Sequence, residues 1–507
     1  MAPKAQALFS QIPPKSTGPR KSVLVIDHGS NKSGVIPAGF EDMESNAISP
    51  IIISPNGDMV IEYADPSSDK GSMLWQVSHD LLITKSIYFK NLLHPQKFSE
   101  GAKFAQQLKT IHASLESKPH ASLKGSPNRV TLPVVVINPN STIRLCGADI
   151  LGLFLKVLCL ESMDDPVREL FEDALKIEST SVIAKVIQIA DSLNSPEALG
   201  RLLRSSGYQY GKKGSVSFSS FSPQLLNMSE DRIRQIILIS STLQNYDITR
   251  VMTHTLILLG SKYWHHGPHL PDDDYLAWQY LPERVEEELY YRRQCIMATI
   301  VDLQAYFLRA YGVLENVNTK PTPQFQCKAG LANGSQCDVF QAGQLVRFFI
   351  MRSKSVFLGS NLIDPEFTFN PGNEGSESQI NQSDLFDSCD IISTLKTLKE
   401  YPDYHVDPNH GSCGIKRRIT PIIPYIENML LHPMSLVGVD YGKWREPSTH
   451  QATQWKTTTR AHCVEIGQSG FAIQNAENGP WRNLMAMGRD DTTCRLVFTA
   501  RQHKWEV

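Results

Sequence analysis

The chain has 507 residues, 41% of them hydrophobic, and a formal net charge of −2. This length allows two to four domains at ~150 residues each, and the hydrophobic content is ordinary for a globular protein with a sizeable core. The nearly balanced charge argues against direct nucleic-acid binding, although a local basic patch is compatible with it. No uncharged apolar run reaches the length of a transmembrane helix, so we expect no membrane partner.

Cysteine usage indicates a reducing compartment. The nine cysteines are scattered without a C-x-x-C pair, a pattern that does not fit a disulfide framework. The N-terminus has no apolar segment typical of a secretory signal. We therefore expect a nuclear or cytoplasmic protein. The cysteines are Cys146, Cys159, Cys295, Cys327, Cys337, Cys389, Cys413, Cys463 and Cys494.

Residues 1–50 are predicted to be disordered or loosely attached. Pro13-Pro14 and Gly18-Pro19 interrupt any periodic pattern in this segment. Lys15, Arg20 and Lys21 form a small basic spot. The spot is compatible with a nuclear import signal, but a solvated linker is the favoured interpretation.

The segment Gly57–Gly101 has the most specific pattern in the chain. Two runs of β-forming residues, 58–63 and 73–77, flank a turn-rich segment at 65–71 and predict a hairpin. Ser78 is a predicted helix N-cap, and the residues after Ser86 have apolar side chains at helical spacing. Gly101 is predicted to end a helix or form a turn. A hairpin followed by two helices is typical of a binding domain, and this segment contains no catalytic motif.

These residues resemble the BTB/POZ domain. The family pattern V-S-x-x-L-L-x-x-S-x-Y-F-x-x-L-L, followed by F-x-E, matches Val77, Ser78, Leu81, Leu82, Ser86, Tyr88, Phe89, Leu92, Leu93, Phe98 and Glu100. The alternative is any α+β domain that begins with a hairpin and an amphipathic helix, but the order of the elements also favours BTB/POZ. The resemblance implies an α+β fold, with short strands and a helical bundle, over about residues 55–207.

The rest of this domain follows in order. Residues 102–130 are polar and interrupted by Pro119 and by Gly125–Pro127, which indicates an insertion or a long loop. Residues 132–137 are a candidate buried strand, the third of the BTB pattern. Residues 149–160 form a nearly all-round apolar helix, typical of burial or of an interface. Ser179–Ser206 is predicted to contain two further helices.

The second half is predicted to be a mostly α-helical extension. Residues 208–228 are rich in Gly and Ser and suggest a linker. Residues 229–432 are a predicted helical C-terminal region, with Ser229 as an N-cap and a long helix over about 282–311. Residues 433–507 carry Trp444, Trp455, Trp481 and Trp505. This tail of unclear fold suggests a small β-rich or packing segment.

Residues 325–432 also resemble the C-terminal part of a group of fungal BTB proteins. The resemblance depends on Cys327, Cys337–Gln341 and His410–Ile419. It supports a BTB protein of the fungal type, without implying a biochemical role.

The sequence offers one candidate metal site in this region. Cys327, Cys337, His405, His410 and Cys413 have side chains of the types that bind Zn²⁺. However, Cys327 and Cys337 lie ten residues apart, which does not match a standard zinc finger. Because free cysteines are usually small buried hydrophobic residues, that interpretation is favoured, and we expect neither a metal nor another cofactor.

A second group of candidate metal ligands lies between two predicted helices. His265, His266 and His269 precede Asp272–Asp274. Gly267-Pro268 and Pro271 interrupt the group, so a loop that joins two helices is favoured over a metal site.

The sequence predicts no catalytic residues. The G-x-S-x-G, H-E-x-x-H and G-x-x-x-x-G-K-[ST] motifs are absent, so we expect that the protein is not an enzyme. An enzyme with an unrecognised site in the helical region is the remote alternative.

The resemblance implies a partner-binding site at Phe98-Ser99-Glu100. In BTB adaptors of cullin-type ubiquitin ligases, a hydrophobic residue two positions before a Glu in this loop helps to seat the cullin. Phe98 and Glu100 match those positions. The alternative, which stays open, is that Phe98 packs into the domain and Glu100 is merely solvated.

We therefore expect a protein–protein interaction module. It would form homo- or hetero-dimers through the BTB domain and recruit partners, as a substrate adaptor for a cullin-type ubiquitin ligase, with Ser86, Tyr88 and Phe89 shaping the domain core. The alternative is a BTB-type transcriptional co-regulator. Since no DNA-reading module is visible, such a co-regulator would have to act through a DNA-binding partner.

Overall fold

A small mixed sheet forms the first part of the computed structural model. Its strands are β1 (Ile51–Ile52), β2 (Met59–Ala64), β3 (Ser72–Val77) and β4 (Val134–Ile137), in the order β1-β3-β2-β4. β2 and β3 form an antiparallel hairpin in which Met59 lies opposite Val77, and β4 pairs with β2 in parallel. β-Branched and aromatic residues suit the pleated, half-buried surface of these strands. The predicted hairpin and the predicted strand at 132–137 are confirmed.

The structure describes most of the chain in segments. These are residues 49–64, 72–116, 132–138, 140–211, 217–264, 274–314, 326–327, 329, 333–352, 390–411, 413–444, 455, 463–467, 470–474, 482–483, 491–500 and 503–505. The predictions for residues 1–48, and those for His265–Asp273, lie outside the described residues.

Helices account for most of the regular structure. They are α1 (His79–Lys85), α2 (Ile87–Leu92), α3 (Ser99–Glu116), α4 (Ser141–Cys146), α5 (Ala148–Leu158), α6 (Asp165–Lys176), α7 (Thr180–Ser192), α8 (Pro196–Ser205), α9 (Glu230–Thr242), α10 (Tyr246–Leu259), α11 (Val285–Ala310), α12 (Gly334–Met351), α13 (Ile391–Lys399), α14 (Ile415–Leu431), α15 (Tyr441–Trp444) and α16 (Asp491–Thr499). With the sheet, they give an α+β fold. Within the described segments, no helix has both the length and the apolar character needed to cross a membrane.

The apolar helix predicted at 149–160 is α5, and it lies in the core. Leu151, Phe154 and Leu158 are fully buried. Gly152 faces the indole of Trp75 on β3, where an added Cβ would lie 2.9 Å from Trp75 Nε1. A helix without a polar face must be covered on every side, and α5 is covered by the sheet and by α7 and α8.

The prediction of a loop after Gly101 is wrong for residues 102–116. These residues belong to α3, and Gly101 lies near the start of this helix rather than at the end of one. Phe104, Leu108 and Ile111 recur at helical spacing and form a narrow apolar stripe. The polar residues between them obscured this periodicity in the sequence.

The described residues of 208–228 do not form an exposed linker. Tyr208, Tyr210, Phe218 and Phe221 are buried, and the rings of Tyr210 and Phe218 meet edge to face at 5.9 Å. The Gly and Ser residues suggested flexibility, but the aromatic side chains among them bury large apolar areas. This segment therefore packs between the two halves that it connects.

The tail contains a second sheet and several buried tryptophans. Strands β5 (Cys463–Gly467), β6 (Gly470–Gln474), β7 (Arg482–Asn483) and β8 (His503–Lys504) are arranged in the order β7-β6-β5-β8. Trp505 is buried and its indole donates a hydrogen bond to Asp302 Oδ2 on α11 at 2.9 Å. The tail is thus both β-rich and packed against the helical region. Trp481 lies outside the described residues.

Candidate functional site

Ser86 fixes the corner between α1 and α2. Its hydroxyl accepts a hydrogen bond from the Phe89 backbone N–H at 3.3 Å and donates one to the Leu193 carbonyl at 2.9 Å. The first bond caps α2, and the second ties this corner to the end of α7. Ser86 and Phe89 are buried, whereas Tyr88 is half-buried. Ser86 and Phe89 therefore lie in the core of this part of the molecule, as expected.

The turn before α3 is held close to α2. A Cβ built on Gly101 would overlap the carbonyl oxygen of His94 and would lie 2.9 Å from that of Leu92. Such a close approach of two backbones requires glycine. On the next turn of α3, Phe104 stacks on His79 of α1 with ring centroids 5.2 Å apart. These contacts fix the position of the first turn of α3 relative to α1 and α2.

Phe98 and Glu100 are presented on the surface at this fixed turn. Phe98 exposes 51% of its surface, so it does not pack into the core. The Glu100 carboxylate accepts a hydrogen bond from Ser99 Oγ at 2.9 Å. A backbone hydrogen bond, and then the bond from Ser99, lower the pKa of Glu100. The site therefore combines the exposed ring of Phe98 with the carboxylate of Glu100, whose ionised form is favoured.

A second cluster brings together Cys327, Cys337, His410 and Cys413. Their sulfur and imidazole nitrogen atoms all lie within 4.8 Å of one another. Cys327 Sγ lies 3.3 Å from His410 Nδ1 and 3.5 Å from Cys413 Sγ, and Cys413 Sγ lies 3.8 Å from His410 Nδ1. Cys337, His410 and Cys413 are buried. The fold thus joins four of the five side chains that the sequence suggested.

Three segments position this cluster. Cys337 lies in the first turn of α12, and Cys413 lies just before α14. Cys327 is held by its neighbour Gln326, whose backbone N–H donates to Asp338 Oδ2 at 2.7 Å and whose side-chain carbonyl accepts from Arg418 Nη1 at 2.9 Å. Because the four side chains come from separate segments, their spacing in the sequence carries little information about whether they bind a metal.

Burial and the neighbouring cysteines disfavour the thiolate form of Cys327 and Cys337 when no cation is present. Burial, and then the adjacent Cys327 and Cys413, raise the pKa of Cys337. Burial also raises the pKa of Cys327. Without a cation, these thiols therefore keep their protons at neutral pH.

His405 does not belong to the cluster. It is exposed, and its Nε2 lies 3.8 Å from Asp403 Oδ2. Of the other predicted group, Asp274 is exposed. Its remaining members, at 265–273, lie outside the described residues, and that prediction stays untested.

Sequence analysis missed a buried ionic cluster between α9 and α11. Arg234 is fully buried and donates to both oxygens of Glu286, at 2.7 and 3.1 Å, and to Glu230 at 2.8 Å. The indole of Trp264 also donates to Glu286, at 2.6 Å. The only signal in the sequence was an arginine among the isoleucines of α9. Since protein groups enclose this carboxylate and satisfy its oxygens, the cluster is a structural link rather than a catalytic site.

Comparisons of the chain with protein-family models, curated proteins and solved structures found no match.

Proposed function

We propose that the chain is a protein–protein interaction module of the BTB type that uses the turn at Phe98–Glu100 to recruit a partner. Within this proposal, the partner is a cullin-type scaffold of a ubiquitin ligase. The helical region after residue 228 would then present a second protein for modification.

The order of the elements supports a BTB-like unit. The hairpin β2–β3 is followed by the helix pair α1–α2, by the parallel strand β4 and by the buried helix α5. The helix pair α7 and α8 comes last, as in the pattern of the BTB/POZ family.

The observation that carries the proposal is the exposure of Phe98 on a rigid turn. An aromatic ring with 51% of its surface exposed offers about half of its apolar area to a partner. Burial of that half stabilises the complex by about 0.8–1.5 kcal/mol, half of the value for a fully exposed side chain. Because the backbone beneath the ring is already fixed against His94, little ordering entropy is lost on binding.

Glu100 complements the ring with a charge. It lies in the first turn of α3, where the helix dipole favours a carboxylate. A partner helix with an apolar groove and a nearby cation would match both groups, and the charge would set its orientation and its association rate.

Replacement of Phe98 and Glu100 by alanine tests this proposal. We expect the double variant to lose cullin from affinity purifications that recover it with the wild-type chain, and to show an increase in Kd of about three- to tenfold, given the apolar area lost. A binding assay with a purified cullin N-terminal domain measures the second quantity.

Met434→Ala is the matched control, because Met434 is an apolar residue that exposes 68% of its surface outside the BTB-like unit. It should leave binding unchanged. Equal cullin recovery by the wild type and the double variant, or no cullin with either chain, would remove the ligase proposal.

A further inference from the structure

We propose that Cys327, Cys337, His410 and Cys413 bind one zinc ion that joins the start of α12 to the start of α14. This site is independent of the proposed partner surface. It is a metal site that the sequence spacing alone argued against.

The separations between the donor atoms fit a tetrahedral shell. With Zn–S at ~2.3 Å and Zn–N at ~2.0–2.1 Å, the edges of a regular tetrahedron measure about 3.6–3.8 Å. The separations among Cys327, His410 and Cys413 are 3.3, 3.5 and 3.8 Å, and all four donor atoms, that of Cys337 included, lie within 4.8 Å of one another. Shifts of at most about 1 Å in the donor atoms would therefore receive the ion.

The imidazole of His410 is oriented as a metal ligand. Its Nδ1 faces the thiols, while its Nε2 lies 3.0 Å from Asn333 Oδ1. A hydrogen bond donated by Nε2–H to Asn333 places the lone pair on Nδ1 and fixes the plane of the ring. Zinc-bound histidines almost always have such a second partner.

A disulfide does not account for the cluster. The Cys327 and Cys413 sulfurs lie 3.5 Å apart, whereas a bonded pair lies at ~2.05 Å. A disulfide would also leave the third thiol and the histidine without a role. Zinc engages all four groups: each thiol loses its proton to solvent as its Zn–S bond forms.

Two of the cysteines lie at helix starts. Cys337 lies in the first turn of α12, and Cys413 immediately precedes the N-cap of α14, Gly414. Once a cation is bound, the positive ends of these two helix dipoles add to the stabilisation of the Cys337 and Cys413 thiolates.

Three thiolates and one imidazole indicate a structural zinc ion. Four protein ligands fill the tetrahedral shell and leave no position for a substrate, as in structural sites. Cys327 and Cys413 are 86 residues apart, so the ion would clamp together segments that are distant in the sequence. Loss of the ion should loosen the contact between α12 and α14.

Metal analysis of the full-length chain tests the proposal. We expect a protein purified with reductant and zinc to carry about one zinc per chain, as a closed four-ligand site requires. The apo protein, titrated with Co²⁺, should develop the intense visible bands of tetrahedral thiolate coordination. Cys337→Ser and Cys413→Ser should lose the zinc.

Two further variants separate zinc binding from a general folding defect. Cys146→Ser removes a buried thiol whose sulfur lies near Lys185 and Gln188 instead, and it should retain the zinc. Asn333→Ala keeps all four ligands but should lower zinc affinity about 10- to 100-fold in a chelator competition.

Several outcomes would overturn the proposal. A wild-type chain without zinc and without the cobalt bands would do so, as would full zinc occupancy in both serine variants. A disulfide between two of the three cysteines in the reduced preparation would also exclude the site. These results leave the cullin-binding test unaffected, so the two proposals fail independently.

Discussion

At the scale of single residues, hydrogen bonds of a buried polar side chain join separate elements of the core. His254 on α10 is fully buried; its Nε2 lies 3.0 Å from the Leu430 carbonyl, and its Nδ1 accepts from the Val437 backbone N–H at 3.0 Å. The second bond requires an unprotonated Nδ1, so the ring is neutral. Through these two hydrogen bonds, His254 joins α10 to the end of α14 and to the segment that follows α14.

This histidine makes stability depend on pH. Burial, and then the charge of Arg250, lower the pKa of His254 to about 3, from the ordinary value of 6.5. Between these two values the unfolded chain binds a proton that the folded chain does not, so stability falls as the pH drops below 6.5. We expect the wild type to lose about 1.4 kcal/mol more than His254→Gln between pH 7.5 and 5.5. Urea unfolding at both pH values measures this difference.

His112→Gln is the control for the pH experiment, because it changes an exposed histidine on α3. This variant should show the same pH dependence as the wild type. If His254→Gln also keeps the full wild-type dependence, the assignment of the effect to His254 is wrong.

At the scale of elements, the close approach of two backbones at Gly101 fixes the position of α3. Only a residue without Cβ allows the first turn of α3 to lie against the backbone at Leu92 and His94. The helix then carries Phe98 and Glu100 at one end and the stripe of Phe104 and Leu108 further along. The position of the turn that carries Phe98 and Glu100 therefore depends on Gly101.

Gly101→Ala should shift this turn. We expect the overlap with the His94 carbonyl to cost about 1–3 kcal/mol of stability, and the displaced turn to weaken partner binding. Gly343→Ala is the matched control: it also lies in a helix, but nothing lies within 4 Å of its added Cβ. That variant should instead gain about 0.5–1 kcal/mol. Thermal unfolding compares the two, and equal stability changes would contradict the packing argument.

At the scale of the whole molecule, the first sheet with its helices and the helices after residue 228 share one core. The described residues between Ile48 and Val507 form one compact unit, and α7 packs directly on α9. Thr180 Oγ1 donates to Gln235 Oε1 at 3.0 Å, and Gln188 bonds to the backbone of Tyr275 and Ala277. The segment that joins the two parts contacts both of them, since Tyr208 donates a hydrogen bond to the Glu178 carbonyl before α7 and Phe221 packs edge to face on His254 of α10.

A shared core predicts a shared unfolding transition. We expect the amides of α7 and those of α9 to lose protection from hydrogen exchange at the same urea concentration, since exposure of one helix uncovers the other. Hydrogen exchange read by mass spectrometry at increasing urea measures this. Earlier exchange of α7 would show that the two halves unfold separately.

Much of the local structure followed from the sequence alone. The runs of β-forming residues at 58–63 and 73–77 predicted the hairpin, and the all-round apolar residues at 149–160 predicted a helix that is buried or lies at an interface, because residue type and periodicity are local properties of a chain. The sequence also indicated the four candidate metal-binding residues, three cysteines and one histidine. It misjudged α3 and the segment 208–228, where a thin apolar stripe and a few aromatic rings were diluted by polar neighbours.

Distant residues meet only through the packing of whole elements. Cys327 and Cys413 become neighbours because Gln326 bonds both to Asp338 on α12 and to Arg418 on α14. Arg234 meets Glu286 because α9 and α11 both pack on α10. Likewise, the exposure of Phe98 follows from the position of α3 rather than from its own hydrophobicity. Such contacts depend on the arrangement of whole elements, which one-dimensional spacing does not encode.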